Sequence, residues 1–400
     1  MPEVNPEILR WARESTGLSV EEACKKLDIK EARGVPSQER LTALEEGEEA
    51  PSRSLLVKMA QHYRRPLVTF YLSEPPKRGK RGKDFRRLPS GQSVELDPIL
   101  DALIRDVQAR QSMVRSILEE EEEAVELPFV GSHRRLAGHA ALSESIQTTL
   151  GISLEHYRSL PDAGAAFAYL RELAEASGVF VLLRGNLGSH HTALGVDDFR
   201  GFAMADKVAP FVVINENDSK AAWSFTLLHE LAHIWLGQTG ISGGTSDSVD
   251  ERFCNDVASE ILLPSAEFEA DSRHLLQSKG EWPARISRFA DEKKVSRTMV
   301  AYRLLRTNAI TQDEYRSLAS AFRSHWLEGV QSRRRNQGEG GPNYYVVKRH
   351  RVGSALVQLV DRMMHNGVMT STRAAKVLGV KPAQVQRLLT SGLDTPNNAA

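Results

Sequence analysis

The chain has 400 residues, 41% hydrophobic and 26% charged, the composition of an ordinary globular protein, and that length allows about two to four domains. Its 52 basic residues balance 52 acidic ones, and its two cysteines, Cys24 and Cys254, are too few for a disulfide framework, so a reducing cytoplasm is expected. No stretch approaches about 18 consecutive apolar residues and the first twenty are charged throughout, so neither a membrane span nor a signal peptide is expected.

Residues 1–75 read as a bundle of short helices. Asn5-Pro6 starts the first, with Ile8, Leu9, Trp11 and Ala12 apolar and Gly17 at its end. Ser19, with Glu22 three residues on, makes a capping box for a second that carries Val20, Ala23, Cys24 and Leu27. Ser37 is placed as the cap of a third, with Leu41 and Leu44 inside and Gly47 as its stop. Ser52 opens a fourth with Leu55, Leu56, Met59 and Ala60, and residues 66–72 close the module. This helix order, together with Leu44-Glu45-Glu46-Gly47-Glu48-x-x-Pro51, resembles the Xre/Cro helix-turn-helix domain, although the link from Lys30 to Gln38 is longer than that motif's turn. The resemblance implies DNA as a partner, and the charges argue the other way. Residues 1–60 hold nine basic and twelve acidic residues, and the third helix sets Glu39, Glu45 and Glu46 against Arg40. Affinity for a duplex rests on Lys and Arg, so a docking or dimerisation role stands beside DNA contact.

The sign then reverses. Residues 61–90 carry nine basic and two acidic residues around Pro75-Pro76, Gly79 and Gly82, and residues 76–94 read as a basic linker, either a plain connector or a strap touching phosphate. Residues 95–164 read as a helical connector, with one long helix over 95–127 ending in the run Glu119–Glu123. That run reads as a solvated helix face, because consecutive side chains diverge and cannot share a metal. Residues 140–177 continue helically into a buried strand over 179–183, and 199–205 and 211–214 supply two more strands.

The run Trp223–Leu236 encloses His229-Glu230-Leu231-Ala232-His233. On a helix, positions i and i+4 share a face one turn apart, so both imidazoles can reach one metal and Glu230 can take a proton from a water there. The alternative is a pair of satisfied core histidines. Apolar neighbours on both sides favour the metal, because burying two histidines and a glutamate without a partner is costly. Downstream, Phe253, Val257, Ile261 and Leu262 give residues 250–263 helical period, and Pro264 ends it. Glu251 and Asn255 share a face there, suiting Glu251 as a third metal ligand and Asn255 as the acceptor that orients a ligand imidazole. Glu251 also fits as a solvated charge in a first helical turn. Cys254 reads as helix packing.

The pentad, followed by Glu251-x-x-Cys254-Asn255-x-x-Ala258-x-Glu260-x-Leu262-x-Pro264, resembles the ImmA/IrrE family of metallopeptidases, as does the stretch from Asp198 to Asn215. The resemblance covers residues 165–310, with Val257 where the family usually has phenylalanine. It implies zinc (Zn2+) held by His229, His233 and Glu251, Glu230 as catalytic base, and a protein substrate, since its better-understood members cut a partner repressor of the Xre type. The expected fold class is α+β: an N-terminal all-α helix-turn-helix module, a zincin-like peptidase core with a small sheet, and a C-terminal helical module.

Residues 284–305 read as a helical pair turning at Val295-Ser296-Arg297, and a linker follows over 335–342. Residues 343–390 read as a basic, helix-turn-helix-like module with Gly379 at its turn. Residues 331–390 hold eleven basic and two acidic residues, so this end is favoured over the N-terminal module as a nucleic-acid contact. For the oxyanion of a peptidase reaction, His190, His191, Tyr302 and Arg303 are the candidates, the last two equally readable as helix packing. Two other readings stand beside the repressor-cleaving enzyme. One is a DNA-binding regulator whose metal fold is a sensor or a relic, and the other is the antitoxin-like half of a two-gene stress or defence module. An intact Glu230 favours the enzyme, because a purely structural zinc has no need of that base.

Overall fold

The computed structural model describes residues 4–76, 98–188, 192–242, 249–277, 279–336 and 343–391. The chain divides into two compact units, Met1–Lys83 with Val94–Arg105, and Asp84–Ser93 with Asp106–Ala400. The linkers expected over 76–94 and 335–342, and His190 and His191, lie wholly or largely outside the described residues.

The first unit contains α1 (Pro6–Glu14), α2 (Val20–Leu27), α3 (Ser37–Glu46) and α4 (Arg53–His62), closed by a short 3-10 turn over Leu67–Tyr71. Each apolar stripe turns inward: Ile8, Leu9 and Ala12 meet Ala23, Cys24, Leu27, Leu41, Leu44, Leu56, Met59, Tyr63 and Phe70 in one core. Asn5 caps α1, and Ser19 with Glu22 forms the expected capping box on α2. Ser37 does not cap α3: it is the first helical residue, and Pro36 holds the cap position with no side-chain hydrogen bond. Between α2 and α3 the chain makes a tight return, with a bridge between Ala32 and Val35. Glu45 is buried in a two-pronged pair with Arg13, at 2.8 and 2.9 Å. Arg40 donates to the Lys30 carbonyl at 2.6 Å. With Glu46 3.5 Å from Arg10, three of the charges on the expected reading helix are engaged within the unit.

Helix α5 (Pro98–Glu120) is shorter than the expected 95–127, stopping where Glu122 takes a positive φ of 56°. The stretch expected to run helically over 140–177 is three helices, α6 (His139–Leu150), α7 (Leu154–Ser159) and α8 (Ala163–Ala176). Ser153 and Asp162 cap α7 and α8 through side-chain oxygens, and such caps start new helices rather than extend old ones.

Four short strands follow, β1 (Phe180–Leu183), β2 (Gly201–Met204), β3 (Phe211–Ile214) and β4 (Gly240–Ser242), in the order β1-β3-β2-β4. β1 and β3 are parallel with Phe180 opposite Phe211, and β2 runs antiparallel to β3 with Gly201 opposite Ile214. β4 pairs antiparallel with β2 and forms one edge. Every residue of β1, β2 and β3 is buried, which explains why they read as continuous apolar runs rather than alternating ones. β4 was not anticipated: Gly-Ile-Ser carries no periodic signal.

Helix α9 (Lys220–Trp235) packs across β2 and β3 and against α8, and α10 (Val249–Leu262) packs on α9 and α6. Then come α11 (Ser265–Leu275), α12 (Trp282–Lys293), α13 (Arg297–Arg306) and α14 (Gln312–Asn336). The C-terminal helices are α15 (Tyr344–Val352), α16 (Ser354–His365), α17 (Ser371–Leu378) and α18 (Val385–Thr390). They are part of the second unit. Glu175 of α8 accepts the backbone N–H groups of Ser354 and Ala355 at 2.9 and 3.1 Å, capping α16, and pairs at 2.9 Å with Arg171. Among the described residues no helix is long and apolar enough to cross a membrane.

Candidate metal centre

Helix α9 is apolar around its whole circumference, and Trp223, Leu227, Leu228, Leu231, Ala232, Ile234 and Trp235 are all buried. Such a helix can only sit inside a protein, so its polar residues need partners there. It ends at Leu236, and Gly237 adopts φ +68°. A side chain at Gly237 would be strained by that φ and would crowd Gly131, whose Cα lies 3.0 Å from the Cβ position. The residue that follows folds back, its N–H donating to the His233 carbonyl at 2.8 Å.

His229 and His233 are each 4% exposed, and Glu230 is fully buried. The two Nε2 atoms lie 3.1 Å apart. Glu251, from the first turn of α10, places one carboxylate oxygen 3.2 Å from His229 Nε2 and the other 3.4 Å from His233 Nε2. Helix α10 thus brings to α9 the acidic residue expected from its place beside the pentad and from the family resemblance. Donors in a tetrahedral site with zinc bonds of about 2.0–2.1 Å stand about 3.3 Å from one another. The three observed separations bracket that value, and two nitrogens with one carboxylate oxygen are a donor set that zinc accepts. The residues present fit the ion.

Electrostatics agree with the geometry. Burial alone would raise the Glu251 carboxyl, but His229 and His233 hold it well below the usual carboxylate range. Burial likewise opposes charge on His233, yet Cys254, Glu251 and Glu230 carry it well above the ordinary histidine value. Burial pushes the Cys254 thiol up, against the opposing pull of His233. Its sulfur lies 3.7 Å from His233 Nδ1.

The group that orients His233 is Gln238. Its Oε1 lies 3.1 Å from His233 Nδ1, placed to accept a hydrogen bond from that nitrogen, while Nε2 faces the cluster. Asn255, expected in that role, makes no hydrogen bond to either imidazole among the described residues. Gln238 was legible only indirectly, through Gly237, whose turn brings the next residue back over the last helical turn.

Gly201 also escaped a role in the sequence reading. A Cβ there would lie 2.7 Å from Glu230 Oε1 and 2.7 Å from Thr226 Cγ2. Only glycine lets β2 pass this close to α9, so the strand backbone forms the wall against which the Glu230 carboxylate rests. Of the oxyanion candidates, Tyr302 donates to Asp256 at 2.7 Å and Arg303 to Glu260 at 3.1 Å and Ser265 at 2.9 Å. Both tie α13 to α10, and Arg303 also to the start of α11, which is the packing alternative.

Two buried histidines and the half-buried Glu251 on two packed helices, with a buried glutamate beside them and a small sheet behind, make a site of metallopeptidase type. The comparison with protein families agrees: residues 180–305 match the Peptidase M78 model, the IrrE N-terminal-like domain. This supports the ImmA/IrrE resemblance for that part of the chain. No curated protein and no solved structure matches the chain.

Proposed function

We propose that the chain is a cytoplasmic zinc-dependent endopeptidase whose substrate is a partner protein, a repressor of the Xre type. The observation that carries this reading is the convergence of His229, His233 and Glu251 at 3.1–3.4 Å beside the buried Glu230. Zinc held by those three residues would supply Lewis acidity toward a water and a peptide carbonyl. Glu230 then accepts the proton of the attacking water and returns it to the leaving amine. The β2 backbone at Gly201 fixes where that carboxylate can lie, and Gln238 fixes which nitrogen of His233 faces inward. β4, at an edge of the sheet, offers backbone N–H and C=O groups to an extended substrate. The repressor as substrate rests on the family resemblance, with the first unit as the surface that recognises it.

The test is incubation of the zinc-loaded chain with a purified Xre-type repressor, read by intact mass. Two fragments are expected with the wild type and none with Glu230→Gln. Cleavage by Glu230→Gln at the wild-type rate would overturn the mechanism.

A further inference from the structure

Away from the metal centre, α5, α15 and the segments that follow β1 and β3 bring four cations to two carboxylates. Arg110 and Arg184 donate to the same oxygen of Asp106, at 2.7 and 3.2 Å. Arg351 pairs with Glu216, which also accepts the Gly185 N–H at 3.2 Å. Lys348 has no carboxylate partner of its own among the described residues, and its charged neighbours are Arg184, Arg110, Asp106 and Arg351. Arg110 is 2% exposed and Lys348 7%. The Nε groups of Arg110 and Arg184 are buried and donate to no acceptor among the described residues. Buried positive charge in excess of its counter-charge is strongly unfavourable unless a proton leaves or an anion arrives. Burial and the two arginines push Lys348 down to about 7, and burial with Arg110 pushes Arg184 to about 10.

We propose that Arg110, Arg184, Lys348 and Arg351 form a binding site for a small phosphate-type oxyanion. Planar guanidinium groups that approach from different elements, with an ammonium beside them, suit an anion having several oxygens. Depth argues for a small one, because side chains this buried cannot reach the backbone of a duplex. Of these groups Asp106 is the most open to solvent, its side chain 39% exposed. The bound anion would join α15 to α5, and Arg110 extends the link by donating to the Val377 carbonyl at 3.3 Å at the end of α17. The site thus acts as an anion-dependent latch on the C-terminal helices. It is independent of the peptidase reading, since its test involves no cleavage.

The test is thermal unfolding of the full chain in sodium phosphate and in sodium chloride at matched ionic strength, with AMP as a further arm. Saturating phosphate is expected to raise the wild-type Tm by on the order of 3 °C over chloride. Lys348→Met, which keeps the apolar stem, is expected to lose that increment. AMP giving no rise identifies a free oxyanion, while a rise with AMP at least equal to that with phosphate assigns the phosphate group of a nucleotide. Equal phosphate increments in wild type and Lys348→Met indicate a general salt effect and overturn the proposal, as does the absence of any increment in the wild type. If Lys348→Met does not fold, calorimetric titration of wild type and Arg184→Gln with phosphate decides: heat of binding in the wild type that falls at least tenfold in affinity in the variant supports the site, and no wild-type binding refutes it.

Discussion

The α9–α10 pair and the C-terminal helices α15–α18 both carry polar residues that folding must place, and it places them in opposite ways. On α9 and α10, residues distant in sequence point their donors at one another, the two Nε2 atoms and the Glu251 carboxylate standing 3.1–3.4 Å apart. On the C-terminal helices the basic residues are dispersed into separate contacts with the rest of the second unit. Arg362 pairs with Glu123, Arg373 with Glu120 and Arg351 with Glu216, while Arg349 donates to the carbonyls of Leu388 and Leu389. Lys376, Lys381 and Arg387 pair with no carboxylate among the described residues. Spacing on a helix survives folding as geometry, whereas a count of charges along a segment does not say which of them meet a partner. Of the basic residues counted at this end, Lys348 is buried, Arg349, Arg351 and Arg373 are half-buried, and Arg362, Lys376, Lys381 and Arg387 are exposed, so nucleic-acid contact here stands as an expectation.

The sharpest contrast is expected at the metal ligands. His229→Ala, His233→Ala and Glu251→Ala should each lose nearly all bound zinc, measured by atomic emission on the purified chain, where the wild type holds about one ion per site. Full zinc in Glu251→Ala would remove α10 from the centre and with it half of the comparison. Glu230→Gln should keep the zinc and lose about 10²- to 10⁴-fold in cleavage rate, because it deletes the proton acceptor and no ligand. Unchanged turnover would leave Glu230 a packing residue.

In the other region, Glu175→Gln breaks a buried pair and leaves the Arg171 charge uncompensated. A loss of about 3–5 kcal/mol is expected, read from chemical denaturation. A change below about 1 kcal/mol would mean that the cap on α16 does not hold the C-terminal helices in place. Gln238→Leu removes the acceptor for His233 Nδ1, so zinc affinity should fall about 10- to 100-fold, measured by competition with a chelator. If Asn255→Leu has that effect instead, the original assignment of the orienting residue stands. The smallest effects belong to Arg362→Ala and Arg373→Ala. These exposed pairs should contribute about 0–1 kcal/mol each. If they are engaged internally, their loss should also leave the salt dependence of any duplex binding unchanged. A slope flatter by about 0.9 per residue would return them to the surface as phosphate contacts.

Much of the candidate site was legible before any coordinates. The i, i+4 spacing of His229 and His233 dictates a shared face, the apolar run around them dictates burial, and Glu251 follows from the period of the next helix. Helix boundaries set by local chemistry were equally legible: Asn5, Ser19 and Ser52 cap where expected because a cap is a contact within three residues. What the tertiary structure alone decided are the contacts between segments that share no local rule. Gly201 matters because β2 crosses α9 at Glu230, Gln238 because the chain folds back after Gly237, and β4 because it finds an edge on β2 despite having no strand signal of its own. The fate of the basic C-terminal residues belongs to the same group. A sequence counts charges, but whether a charge meets water or a carboxylate depends on which surfaces the apolar faces of α15 and α16 bring together. Local periodicity and capping act over a turn or two of chain, while partners at a distance are chosen by packing.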